Sequence, residues 1–126
     1  MRSRHSLPLA AAFLVSCGAR TAPQPETPSL RCPEISVFVR EGCPHCTAAK
    51  AYLAEFAARE PGLKVSYLDV RANPANRDRL KTLAGEHGIE TIGVPSFLIC
   101  GDFLVGFSET ATPAEIERRV KQPAYP

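Results

Sequence analysis

The chain has almost no net charge. Its 15 Lys and Arg stand against 13 Asp and Glu, a formal +2. Arg2 and Arg4 supply that excess, so the rest balances and no basic surface for nucleic acid is implied. Long apolar runs are scarce too. The N-terminal run Leu7 to Val15 covers about 9 residues, too few to span a bilayer as a helix. There are three His, and no second Cys/His cluster lies at the spacing of a structural zinc site. Trp is absent. Internal repeats are absent as well, which excludes a solenoid. What remains is an ordinary globular composition, 44 % hydrophobic and 22 % charged over 126 residues, enough for one small domain.

The N-terminus reads as a leader rather than as fold. Arg2, Arg4 and His5 form a basic start, and Leu7 to Val15 fits the apolar region of a secretory signal. The run ends in Leu14-Val15-Ser16-Cys17-Gly18, which resembles the lipobox of bacterial lipoproteins. That resemblance implies a signal over 1–17, lipidation of Cys17, and a protein held to a bacterial membrane outside the cytoplasm, in the periplasm or at the cell surface. The alternatives are a plain signal peptide cut near Cys17 and a ragged N-terminus. Residues 18–33 follow as a tether. Pro23, Pro25, Pro28 and Pro33 punctuate it, and such a segment extends roughly 3 Å per residue.

The stretch with chemistry in it is Cys43-Pro44-His45-Cys46. The apolar run Ile35 to Val39 precedes it and a helical run, Thr47 to Arg59, follows. Two thiols at a strand-to-helix turn read as a redox dithiol. Cys43 falls at or near the helix N-cap, where unpaired N–H groups and the helix dipole favour a thiolate. Pro44 suits the first helical position, and Cys46 lies one turn on, within reach of a disulfide.

Around this turn the chain reads as alternating elements. Glu34 to Arg40 is a strand buried on both faces. Ala49, Leu53 and Phe56 recur at helical spacing, with Tyr52 beside them, until Pro61-Gly62. Lys64 to Val70 alternates as a second strand, so a parallel βαβ unit is expected. Asn73-Pro74 opens a second helix carrying Leu80, Leu83, Ala84 and His87 on one stripe. Ser96 to Cys100 and Phe103 to Phe107 are short strands split by Gly101-Asp102 as the hairpin turn. Thr112-Pro113-Ala114-Glu115 is a capping box that starts a final helix to about Lys121.

This order, with the dithiol after the first strand and Val94-Pro95 before the third, resembles the thioredoxin fold in its compact glutaredoxin-like form. The resemblance implies an α/β domain over 34–122, with a short tail, 123–126, after it. Its four-stranded mixed sheet (βαβ, helix, β-hairpin, helix) has helices on both faces. It implies a cis Pro95 beside the dithiol, with the Val94 backbone and Pro44 facing the substrate chain. It implies thiol–disulfide exchange with protein thiols or disulfides, with Cys43 as the exposed nucleophile and Cys46 resolving the mixed disulfide. No cofactor or metal is implied beyond the dithiol itself, and a further redox partner is needed to recycle the pair. A monomer is the expected state.

Several positions depart from the family patterns. Thioredoxins carry Trp before the first cysteine and a buried acid in the preceding strand; here Glu41-Gly42 precede Cys43 and Ile35 to Val39 holds no carboxylate. Glutaredoxins carry Thr before Val-Pro and Gly-Gly after the hairpin. Here Gly93 and Ser108-Glu109-Thr110 stand there, so the resemblance does not carry glutathione over. Pro-His inside the motif is similar to the DsbA family of periplasmic disulfide oxidases. That makes His45 a candidate to stabilise the Cys43 thiolate, the alternative being a solvated turn residue.

In the resembled fold the start of the first strand and the end of the third lie together. This implies a structural disulfide between Cys32 and Cys100, the alternative being two reduced thiols. His87 reads as a core-edge residue, and Arg77, Arg79 and Lys81 as a solvated helix face. Two other functions are weighed against the oxidoreductase. A soft-metal module could use Cys43, His45 and Cys46, but Val94-Pro95 would have no role in it. A redox-dead interaction domain is opposed by the presence of both thiols.

Overall fold

The computed structural model describes residues 30–121 together with Gly18. The expected leader, Cys17, most of the expected tether and the tail from Gln122 lie outside the described residues. The elements run β1 (Glu34–Val39), α1 (Pro44–Arg59), β2 (Lys64–Asp69), α2 (Pro74–Glu86), β3 (Ser96–Ile99), β4 (Asp102–Val105) and α3 (Thr112–Lys121).

The sheet order is β2-β1-β3-β4. β1 pairs parallel to β2, with Glu34 opposite Lys64 and Val39 opposite Asp69. It pairs antiparallel to β3, Ile35 opposite Ile99 and Phe38 opposite Ser96. β3 and β4 form an antiparallel hairpin. β1 is therefore internal, which explains a run that is apolar from Ile35 to Val39 but for Ser36. Successive strand side chains point to opposite faces. Ile35, Val37 and Val39 join one core with Ala49, Leu53 and Phe56 of α1 and Ile116 and Val120 of α3. Phe38 points the other way and packs with Leu80 and Ala84 of α2 and with Phe103. Two helices cover one face and the third covers the other, as the resemblance implies.

Side chains tie α1 to α3. The Tyr52 hydroxyl donates to the Pro113 carbonyl at 3.1 Å. Lys121 Nζ lies 2.8 Å from Glu60 Oε1, and Arg59 Nη2 lies 3.4 Å from Glu117 Oε1.

The hairpin corrects one reading. Ile99 pairs with Asp102, so the turn residues are Cys100 and Gly101 and not Gly101-Asp102. Both take positive φ, 49° and 84°. A two-residue turn of this hand needs that at both positions, and Cys at the first one hid the signal. Next to this turn, the Arg31 and Cys32 N–H groups both donate to the Val120 carbonyl, at 3.0 and 3.1 Å. Leu30 packs on the main core. The last residues of the proline-rich segment thus lie against the end of α3.

Candidate active site

Cys43 is the N-cap of α1, with extended backbone (φ −96°, ψ 113°), and Pro44 occupies the first helical turn. That geometry turns Cys43 Sγ back over the helix start, where it accepts from the Cys46 N–H at 3.3 Å. On its other side Cys43 Sγ lies 3.9 Å from the Val94 carbonyl oxygen, which accepts from it. Val94-Pro95 is a cis peptide. Among the described residues the Val94 N–H donates to no backbone or side-chain acceptor. Cys43 and Cys46 are both free thiols.

The sequence reading makes Cys43 an exposed nucleophile. The structure leaves it only 5 % exposed, against 2 % for Cys46. The cap points the sulfur inward, and the Val94 loop, 51 residues on in the chain, covers it.

The two thiols are driven apart. Burial works to raise the Cys43 pKa but is outweighed. Hydrogen bonds from the Cys46 thiol and backbone N–H hold it below the ordinary thiol value, with help from the Arg40 charge and the His45 N–H. For Cys46, burial, the hydrogen bond to Cys43 and the Cys43 charge push the pKa up to about 11. Cys43 is thus the thiol that ionises more readily and Cys46 the one that holds its proton, an asymmetry a two-step exchange needs.

His45 is exposed, and it reaches Cys43 through its backbone N–H. Among the described residues, no hydrogen bond joins its ring to Cys43. Arg40 is the charge that acts on Cys43, and the sequence reading takes it only as the end of a strand. Arg40 also lines an open groove of about 480 Å³ with Arg77, Lys81, Leu80, Ile92 and Val94. Two cations of α2 read as a solvated face therefore stand at the site. Among the described residues, none of these three cations pairs with a carboxylate, whereas Arg118, Arg119 and Lys121 on α3 all do. Arg79 behaves differently, lying 6.0 Å over the Phe38 ring.

Cys32 and Cys100 are joined, S–S 2.02 Å, with Cα atoms 5.7 Å apart. They close the corner at the start of β1, while the dithiol follows its other end. His87 caps α2, its ring stacked 5.6 Å from that of Phe103. Among the described residues no group of three or more His, Cys, Asp and Glu could hold a metal. Cys43, His45 and Cys46 do not assemble into one, because the His45 ring is turned to solvent, so the soft-metal alternative is not supported.

A mixed four-stranded sheet, an activated dithiol at a helix N-terminus and a cis-proline beside it define a thioredoxin-fold thiol–disulfide oxidoreductase. The family model for glutaredoxin matches residues 35–103, and the chain belongs to that family. It is similar to a thioredoxin of Methanocaldococcus jannaschii, 33 % identical over 90 residues, which cover 69 % of this chain and 95 % of the relative. It is similar to glutaredoxin 1 of Escherichia coli, 28 % identical over 75 residues, 60 % of this chain and 85 % of that one. A solved glutaredoxin from Brucella melitensis shares the fold, with a TM-score of 0.50 at 21 % identity over 72 % of this chain and 91 % of that one.

Proposed function

We propose that this oxidoreductase works outside the cytoplasm, tethered to a bacterial membrane through Cys17, and exchanges disulfides with polypeptides. The observation that carries the polypeptide reading is the buried Cys43 Sγ beside the Val94 backbone, whose N–H has no partner among the described residues. An extended substrate chain pairing there delivers its sulfur to Cys43. The Cys43 thiolate attacks one sulfur of the substrate disulfide, and the other sulfur leaves as a thiolate. Cys46 then loses its proton to solvent and attacks Cys43 Sγ, expelling the second substrate thiolate. The substrate gains two electrons, and Cys43 and Cys46 become a disulfide that a separate redox partner must reduce. Run backwards, the same steps donate a disulfide.

The leader and lipobox-like residues 14–18 support the location. So does a second cysteine pair, Cys32 and Cys100, of a kind that persists in oxidising compartments. A second reading, glutathione as the partner thiol, is favoured by the three cations of the groove, which pair with no carboxylate among the described residues and suit those of glutathione.

Cys46→Ser tests the function. It should accumulate a covalent complex with a polypeptide disulfide through Cys43, released by reductant, and Cys43→Ser should form none. A Cys46→Ser protein that traps nothing from polypeptide disulfides but is quantitatively glutathionylated would replace the first reading with the second.

A further inference from the structure

Ser96 follows the cis-proline and opens β3. Among the described residues it alone of the polar side chains is buried, at 0 % exposure. A hydroxyl without a partner is costly in such a place, and a strand position between Phe38 and Val105 is served as well by a small apolar residue. The sheet ladder does not use the hydroxyl. Ser96 Oγ instead donates back to the Gly93 carbonyl at 2.6 Å, spanning Val94 and Pro95. The other flank is held from β4's end, where the Gly106 N–H donates to the Pro95 carbonyl at 2.7 Å. The loop between these two fastenings is the one that covers Cys43.

We infer that Ser96 is a positioning residue for the exchange reaction, its hydroxyl fixing the Gly93-Val94-Pro95 loop so that the Val94 backbone is presented to a polypeptide substrate beside Cys43. This rests on the reading that the substrate is a polypeptide pairing at Val94. Ser96 touches no substrate. It acts through the loop, so it matters for substrates that use the loop and not for those too small to reach it. Without the hydroxyl, the Gly93 carbonyl loses its partner, the loop has one fastening left, and the polypeptide must order it on binding.

The test compares a polypeptide disulfide with a small aromatic disulfide, using the full folded domain. Ser96→Ala should raise KM for the polypeptide by about tenfold, the size of one lost buried hydrogen bond. It should leave kcat for the polypeptide and the rate with the small disulfide within about twofold. Ser96→Thr, which keeps the hydroxyl, should restore KM. If Ser96→Ala does not fold, the shape-matched pair Ser96→Thr and Ser96→Val carries the comparison, with Val showing the raised KM. Equal losses on both substrates, or no change on either, would overturn the assignment. If the unmodified protein turns over the small disulfide but no polypeptide, the failure lies with the polypeptide reading and takes the role of Ser96 with it.

Discussion

Removing the Cys32–Cys100 bond is the perturbation whose size the structure sets best. The two residues are 68 apart in sequence. Loop-closure entropy for a loop of that length is about 4 kcal/mol at 25 °C. A domain of this size has a total stability of roughly 5–14 kcal/mol, so the loss would be a large share of it. Some of the corner survives without the bond. The Arg31 and Cys32 N–H groups still meet the Val120 carbonyl, and Arg119 still reaches Asp102 at 2.9 Å. These contacts hold the folded state in place but leave the unfolded chain free, which is where the cross-link acts. The assay is urea unfolding of Cys32→Ala/Cys100→Ala against its parent, both in a Cys43→Ser/Cys46→Ser background so that the dithiol contributes nothing. The midpoint should fall by an amount worth about 4 kcal/mol, and reductant should bring the parent to the same curve. A loss below about 1 kcal/mol, or a parent indifferent to reductant, would refute the loop-entropy argument for this bond.

Three other outcomes follow from the site and the core. Arg40→Gln removes the cation beside Cys43 and should raise its pKa; alkylation of Cys43 well below the ordinary thiol pKa should slow roughly two- to fivefold, less at high salt. The Cys46 pKa is raised in the folded state, so its contribution to stability is complete below the ordinary thiol value. That contribution is lost as pH rises through about 11, and the reduced domain should weaken between about pH 9 and 11. The disulfide form, which has no Cys46 proton, should lack that step in a pH series of thermal melts. Leu53→Ala opens a cavity at a fully buried position of α1 between the sheet and α3, and should cost about 2–5 kcal/mol in urea unfolding without moving the Cys43 pKa.

Much of the fold was legible because it is written in local periodicity. Ile35 to Val39 is apolar on both faces, and β1 lies inside the sheet. Ala49, Leu53 and Phe56 share a helical stripe, and all three are fully buried. The turn at Cys100-Gly101 was not legible, since a cysteine at positive φ has no propensity signature and the register across β3 and β4 decides it.

The chain's own order, by itself, puts Cys43 at the start of a helix and Cys46 one turn on, because an N-cap and an i, i+3 spacing are properties of neighbouring residues. It also supplies the prolines and the cis-proline candidate. Tertiary structure alone decides what surrounds the sulfur. Arg40, Arg77 and Lys81 come from a strand end and a distant helix and share one groove. Val94 covers Cys43 across 51 residues of chain. Cys32 meets Cys100 because β1 and β3 run antiparallel with their ends in register. Charge, burial and cross-links act through space, and the folded chain sets those distances while the spacing of residues along it does not.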